Sequence, residues 1–563
     1  MNKKIFLPFL ALAAIFVFSA CSGKLTPLSE QYIKADPQPL EAIGGEVPVT
    51  ISATFPAKWF NKNAVVTVTP VLRYATGETW GTSYTFQGEK VKANNQVVSY
   101  SSGGNATMRS KFEYKPAMKK SELYLTFEAK IKNKVVKLPD VKIAEGVIAT
   151  SALADAATAD PAIGADKFQR IIKEAYDANI MFLIQQAELR SNELNKGEVK
   201  EWKDLVENAN EAPNQNVSVE ISAYASPDGG LKLNDALAER REANTTNYLN
   251  KELKKRKIDV PVDARYTAQD WEGFRELVSK SNLQDKDLVL RVLSMYKDPE
   301  EREREIKNIS TVFKSLADEI LPQLRRSRLT ANIEIIGKSD EEIASLAKSN
   351  AGSLTVEELL YAATLTDNEA EKETIYTKAS SIYPNDYRTW NNIGMERFRA
   401  GDYGKAEEMF NKSNSVKNNS EANVNLGLIA LLNGDKDKAQ QLFGSASDIP
   451  ELGEALGLLY LEQGDYAKAV SSFAGTKSNN AALAQILTKD YSTAAQTLND
   501  VKNADAVTDY LKAIVAARTN DSNGVVNNMK AAISKDRSLA KEAAIDLEFA
   551  KYMNNTSFTD LLR

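Results

Sequence analysis

From residue 24 to residue 147 apolar and polar positions alternate, and the alternation returns in separate runs. Val47, Val49, Ile51, Ala53 and Phe55 form one run, Val66, Val68, Leu72 and Tyr74 a second, and Leu123, Leu125, Phe127, Ala129 and Ile131 a third. A period of two marks a strand with one buried face. Turn-forming clusters at 75–78, 101–104 and 132–133 separate the runs, so residues 24–147 are expected to form an N-terminal all-β sandwich. Residues 148–165 turn to Ala, Thr and Asp with Pro161 and Gly164 and have no apolar period, which predicts a linker. Residues 166–338 mix the two periods. A helix is expected over 168–176, a strand over 180–184, a helix around Trp202, Leu205 and Val206, a strand over 217–224, a helix over 231–256, a short strand near 263–266 and a last strand over 329–336. This βαβα order with a final antiparallel strand predicts an α+β sandwich. A helical insertion near 288–318 interrupts it, and its charge run at 300–305 reads as a solvated helix face with i,i+4 pairs.

Residues 339–563 carry a longer period. Trp390, Ile393, Gly394, Phe398, Gly401, Asp402, Tyr403, Ala406 and Phe410 are echoed by Gly427, Gly434, Ala439 and Phe443, and again by Gly457, Tyr460, Gly464, Asp465, Tyr466, Ala469 and Phe473. The glycines Gly394, Gly427 and Gly457 fall 33 and then 30 residues apart, and Asp490, Tyr491 and Ala494 point to a shortened further unit. The pattern resembles that of tetratricopeptide repeats, which implies an all-α solenoid of helix pairs with a concave partner-binding face. On the first helices of two units, Asn391, Asn392, Asn423 and Asn425 are expected at the surface. They are candidates to clamp an extended peptide backbone, with ordinary surface residues as the other reading.

Composition removes whole classes of chemistry. The 563 residues contain no histidine, so the commonest general base and metal ligand are missing. No catalytic carboxylate pair stands out, and neither an enzyme activity nor a cofactor nor a metal is expected. A formal charge of −5 argues against a nucleic-acid partner. Cys21 is the only cysteine, which leaves nothing for a disulfide. It closes an N-terminal stretch in which Lys3 and Lys4 precede an apolar run ending Phe18-Ser19-Ala20-Cys21. This resembles a bacterial lipoprotein signal over residues 1–20 with lipidation at Cys21. No acidic residue directly follows the cysteine, as surface lipoproteins of the Bacteroidota carry, so an outer-membrane anchor facing the periplasm is expected.

The segment 216–249, NVSVEISAYASPDGG followed by LKLNDALAERREANTTNYL, resembles the strand, loop and helix of OmpA-like peptidoglycan-binding domains. The resemblance implies that the peptide stem of peptidoglycan is held by a loop aspartate on its ammonium and a helix arginine on its carboxylate. It places the family's asparagine at Asn234, its leucine at Leu237 and its ligand arginine at Arg241. The loop aspartate's position holds Ser226. Either Asp228 supplies the carboxylate from a rearranged loop, or the fold persists around a decayed site. Asp270-Trp271-Glu272-Gly273 and Leu321-Pro322-Gln323-Leu324-Arg325-Arg326 extend the resemblance to the Bacteroidota branch, with Arg325 and Arg326 as secondary site candidates. A motif at 55–62 is of the same kind, and the β domain is read as a spacer or docking module in which Trp59 and Trp80 are packed.

The expectation is a non-catalytic outer-membrane lipoprotein that binds peptidoglycan and scaffolds an envelope complex by presenting its repeats to an unidentified protein or peptide. The alternative is a surface-exposed glycan- or nutrient-binding lipoprotein with a decayed wall site. A carboxylate-based wall hydrolase lacks a motif.

Overall fold

A computed structural model describes residues 27–283, 285–308, 314–447 and 449–563. The signal segment and Cys21 lie outside the described residues, as do residues 309–313 of the expected insertion. Two units emerge from the chain's contacts. One combines Ala165 and the described residues before it with Asn368–Arg563, and the other is Asp166–Asp367.

In the first unit, the alternating segments form two sheets. Ile33–Asp36, Glu46–Phe55 and Gly104–Glu113 make a three-stranded antiparallel sheet. The second sheet is built on Ala64–Tyr74, Ser121–Ile131 and Lys134–Glu145, with Tyr84–Gly88 and Gln96–Val98 beyond. Val47, Val49, Ile51, Ala53 and Phe55 from one sheet share a core with Val66, Val68, Leu72, Leu123, Leu125, Phe127 and Ala129 from the other. The two-residue period therefore marks the buried faces directly. Trp59 stacks on Phe55 with centroids 5.3 Å apart. Trp80, expected to be packed, is instead 56% exposed, and its indole N–H donates to Glu78.

Within the same unit, helix pairs follow one another: Tyr387–Arg399 with Tyr403–Val416, Ser420–Leu432 with Lys436–Gly444, Leu452–Gln463 with Tyr466–Ser472, Asn479–Leu487 with Tyr491–Asn499, and Ala506–Arg518 with Ser522–Lys535. Packing explains the repeated glycines. A Cβ at Gly394, Gly427 or Gly457 would come within 2.6, 2.2 or 2.7 Å of the rings of Phe410, Phe443 and Phe473. In the fourth and fifth pairs the corresponding positions hold Ala482 with Leu498 and Ala513 with Met529, all fully buried. A smaller partner leaves room for the added methyl, so the layer keeps its volume while its motif disappears. The fifth pair went unpredicted for this reason.

The second unit holds a four-stranded sheet in the order Ile171–Met181, Arg326–Ile336, Gln215–Tyr224, Val262–Thr267, antiparallel except for its last pair. Helices Gly197–Glu211 and Leu231–Lys255 pack on it through Val199, Trp202, Val206, Leu249 and Leu253. Residues 171–176, expected to be helical, are strand and pair with Ala331–Ile336. A short apolar run reads equally as either element, and pairing to the neighbouring strand decides it. The insertion region contributes helices Lys286–Met295 and Pro299–Asn308, with a small core of Phe274, Val289, Leu293, Ile306 and Leu316. Helices Asp340–Ser349 and Val356–Ala362, expected within the repeat domain, belong to this unit. Among the described residues no helix is long and apolar enough to cross a membrane.

Candidate functional site

Strand Gln215–Tyr224 delivers the chain into a loop at 225–230, and Gly230 opens helix Leu231–Lys255. Asn234, one turn into that helix, donates through its amide to the carbonyls of Ser226 (3.0 Å) and Gly229 (2.8 Å). These bonds hold the loop's shape, and Gln269 adds another to Gly229 at 3.0 Å. The Ser226 hydroxyl donates to one Asp228 carboxylate oxygen. Arg325 donates to the other at 3.1 Å and to the Ser226 hydroxyl at 3.2 Å. The structure thus gathers Ser226, Asp228, Asn234 and Arg325 into one cluster. Side-chain exposures of 16% for Asp228 and 12% for Arg325 keep the pair at the edge of solvent.

Arg241 stands apart chemically. It is 0% exposed, lies over the Phe182 ring at 4.9 Å, and donates to the backbone carbonyls of Gln186 (2.9 Å), Tyr224 (2.8 Å) and Leu183 (3.1 Å). Desolvation, reinforced by the nearby Arg325 charge and opposed by Asp228, lowers its pKa to about 10. The guanidinium remains charged at neutral pH but works as a brace between the strand end and residues 183–186. Arg326 is likewise committed, to Asp270 at 3.0 Å and the Gln323 carbonyl at 2.8 Å. Asp270 in turn caps helix Trp271–Lys280 through the Gly273 amide. Of the two secondary arginines, only Arg325 belongs to the loop cluster.

The asparagines of the repeats face a different group. Asn391, Asn392, Asn423 and Asn425 were expected at the surface, and all four are buried. What covers three of them is the segment expected to be a free linker. The Asn425 side chain accepts from the Ala162 amide at 2.6 Å and donates to the Ala162 carbonyl at 2.8 Å. Asn392 makes the same two-way contact with Gly164, at 2.8 and 2.9 Å, and Asn391 donates to Ala162 at 2.9 Å. Asn423 instead accepts from Asn414, on the last helix of the preceding pair, and donates to Asn418 in the connection between the pairs.

Three further contacts escaped the sequence pattern. Asn480 reads Asp155 in the same two-way manner, at 3.0 Å for both bonds. Arg388, held by Asp386, donates to the Ala165 carbonyl at 3.1 Å. Glu454 accepts from the Asp160 amide, and burial together with the Asp160 charge holds its carboxyl above the usual carboxylate range. Ala156, Ala159 and Ala162 pack into the same core as the repeat helices. The strap's start is also tied down, with Thr150 donating to Glu548 and Ser151 to the Ala42 carbonyl at 2.7 Å. Among the described residues, no group of three or more acidic or sulfur side chains is placed to hold a metal.

A tetratricopeptide-repeat family model matches residues 387–420, the first helix pair and its exit. A curated relative, the BBSome complex member BBS4 of Bos taurus, is 29% identical over 106 residues, which is 18% of this chain and 20% of that protein. Similar solved structures include a tetratricopeptide repeat protein of Parabacteroides merdae (16% identity, TM-score 0.28, 38% of this chain and 91% of that one). Pseudomonas aeruginosa pilF matches at 16% identity and TM-score 0.28 over 38% of this chain and 99% of its own. Yeast Tom70 matches at 12% identity and TM-score 0.26, covering 58% and 77%. Residues 387–420 thus match a tetratricopeptide repeat, and the helix pairs that follow continue as a helical repeat array.

Proposed function

We propose that the chain is a non-catalytic scaffold of the cell envelope, anchored by lipid at Cys21 to the outer membrane and facing the periplasm. Its middle unit is an OmpA-like domain that takes the peptide stem of peptidoglycan, and its repeats hold a protein partner. The observation carrying the wall-binding part is the Ser226, Asp228 and Arg325 cluster at the end of the strand. A stem end carries an ammonium beside a carboxylate, and an ion pair at the edge of solvent is complementary to that zwitterion. On binding, Asp228 exchanges Arg325 for the ammonium while Arg325 takes the carboxylate, so two charge-assisted contacts replace one. Arg325 thereby fills the role that the sequence resemblance assigned to Arg241.

Co-sedimentation of the full chain with isolated peptidoglycan tests this. Binding by the natural chain, lost in both Asp228→Ala and Arg325→Ala, is the expected result. Failure of the natural chain to sediment would mean that the ion pair never opens, leaving a scaffold with a decayed wall site. The anchor is tested separately by Cys21→Ser, which is expected to move the protein from the membrane to the soluble fraction.

A further inference from the structure

The groove of the repeats is already filled by this chain, in a way that has the marks of recognition. Three first helices each present an asparagine whose amide oxygen and nitrogen take the N–H and C=O of one residue, at Asp155, Ala162 and Gly164. Such two-way pairing reads a backbone without regard to side chain. Selectivity comes from space instead. Ala156, Ala159 and Ala162, three residues apart, are buried against the helices. A Cβ at Gly164 would stand 2.8 Å from the Arg388 side chain and 3.0 Å from its Cα.

We propose that residues 155–165 are a resident ligand of the repeat groove, so that the concave face is closed in the resting chain and accepts only a segment that makes one tight turn after its first residue, as Ala156–Thr158 do here, runs on without regular structure and has small residues at these four positions. The occupant is this segment in cis. The proposal rests on the repeats being a protein-binding array and specifies which face of it is taken. A partner that needs the groove must displace the strap, and one that leaves the strap in place must dock elsewhere on the repeats. Buried polar pairs of this kind are costly to half-open, because each exposed asparagine leaves its neighbours unpaired.

Two measurements on the full chain decide it. Hydrogen exchange in the natural protein is expected to be slowed at least about hundredfold at Ala162 and Gly164 relative to an unstructured peptide, since local openings are rare where burial and bonding coincide. Exchange there at the unstructured rate overturns the proposal, whatever any variant does. In the second, a labelled synthetic peptide spanning 152–166 is titrated into the natural chain and into a chain with 155–165 replaced by Gly and Ser at equal length. Binding to the replaced chain alone is expected, and a peptide with Gly164→Leu is expected not to bind. Equal binding to both chains, or no binding to a replaced chain that retains its helical circular dichroism, overturns the idea. The scaffold reading is scored independently by crosslinking the natural chain in its envelope: a partner found on a chain whose strap stays protected leaves both intact, and absence of any partner sinks the scaffold alone.

Discussion

Arg241 and Arg325 share a charge and a neighbourhood, and burial separates their roles. Arg241 is fully enclosed and donates to the carbonyls of Gln186, Tyr224 and Leu183. Truncating it removes three charge-assisted bonds and leaves a cavity where a fully enclosed side chain stood, and Arg241→Ala is expected to destabilise the middle unit by about 3 kcal/mol or more, as read by urea denaturation. Arg325→Ala is expected to cost less, about 2 kcal/mol, because Asp228 keeps the Ser226 hydroxyl as a donor. An Arg241→Ala chain as stable as the parent would return Arg241 to the ligand role. A second single-residue case is Lys489, which sits at φ 66° where the first three pairs have Gly401, Gly434 and Gly464 at φ 76°, 74° and 79°. A side chain in this left-handed region is strained, so Lys489→Gly is expected to stabilise the first unit by about 1 kcal/mol, seen as a higher thermal midpoint.

Helix pairs repeat one device throughout the array: an aspartate at the start of the second helix. Asp402, Asp435, Asp465, Asp490 and Asp521 each accept from the amide three residues on. This cap persists into the two pairs where glycine and phenylalanine have given way, because it serves the helix start and not the layer. The first helices add a pH dependence. Burial holds Glu396, Glu454 and Glu462 above the usual carboxylate range, with Asp160 adding to the effect at Glu454. Such a carboxyl keeps its proton in the fold at pH values where the unfolded chain has released it. The folded state then binds more protons, so stability falls as pH rises from the ordinary carboxylate pKa through the raised one. Glu454→Gln is expected to flatten that fall, measured as denaturation midpoints across the acid range. A fall of unchanged steepness would show that Glu454 does not contribute.

For the molecule as a whole, the first unit is discontinuous, with the second inserted between Ala165 and Asn368. Its two parts are joined by more than the strap. Lys436 donates to the Gly44 carbonyl at 3.1 Å, and Lys119 pairs with Glu542 at 2.7 Å. A Cβ on Gly44, at φ 59°, would meet the Gln463 carbonyl at 2.8 Å. Within the first unit, Ala165 bonds Arg388, and Asn368 caps helix Glu369–Ile382, which packs beside Tyr387–Arg399. Replacing residues 166–367 with a short Gly/Ser bridge is therefore expected to leave β domain and repeats melting together in one transition by calorimetry. Two separate transitions would show that the β domain and the repeats fold independently.

Periodicity along the chain was enough to predict the alternating strands of the β domain, the strand–loop–helix of the middle unit and three of the helix pairs, because each reports which face of a local element is buried. The sequence also offered Asn391, Asn392, Asn423 and Asn425 as candidates to clamp a backbone, with ordinary surface residues as the other reading, and all but Asn423 bond the backbone of residues 162–164. Their ligand was not legible, since residues 148–165 have no period, and hydrogen bonds made from their backbone leave no pattern in side chains. The same limit hid Asn480 and Glu454, whose role depends on where that segment lies. Arg241 and Arg325 were equally unresolvable as sequence, because a guanidinium binds a ligand or braces a fold according to which carbonyls and carboxylates surround it. Local burial is written in the order of residues, whereas the pairing of distant polar groups exists only once the chain has folded.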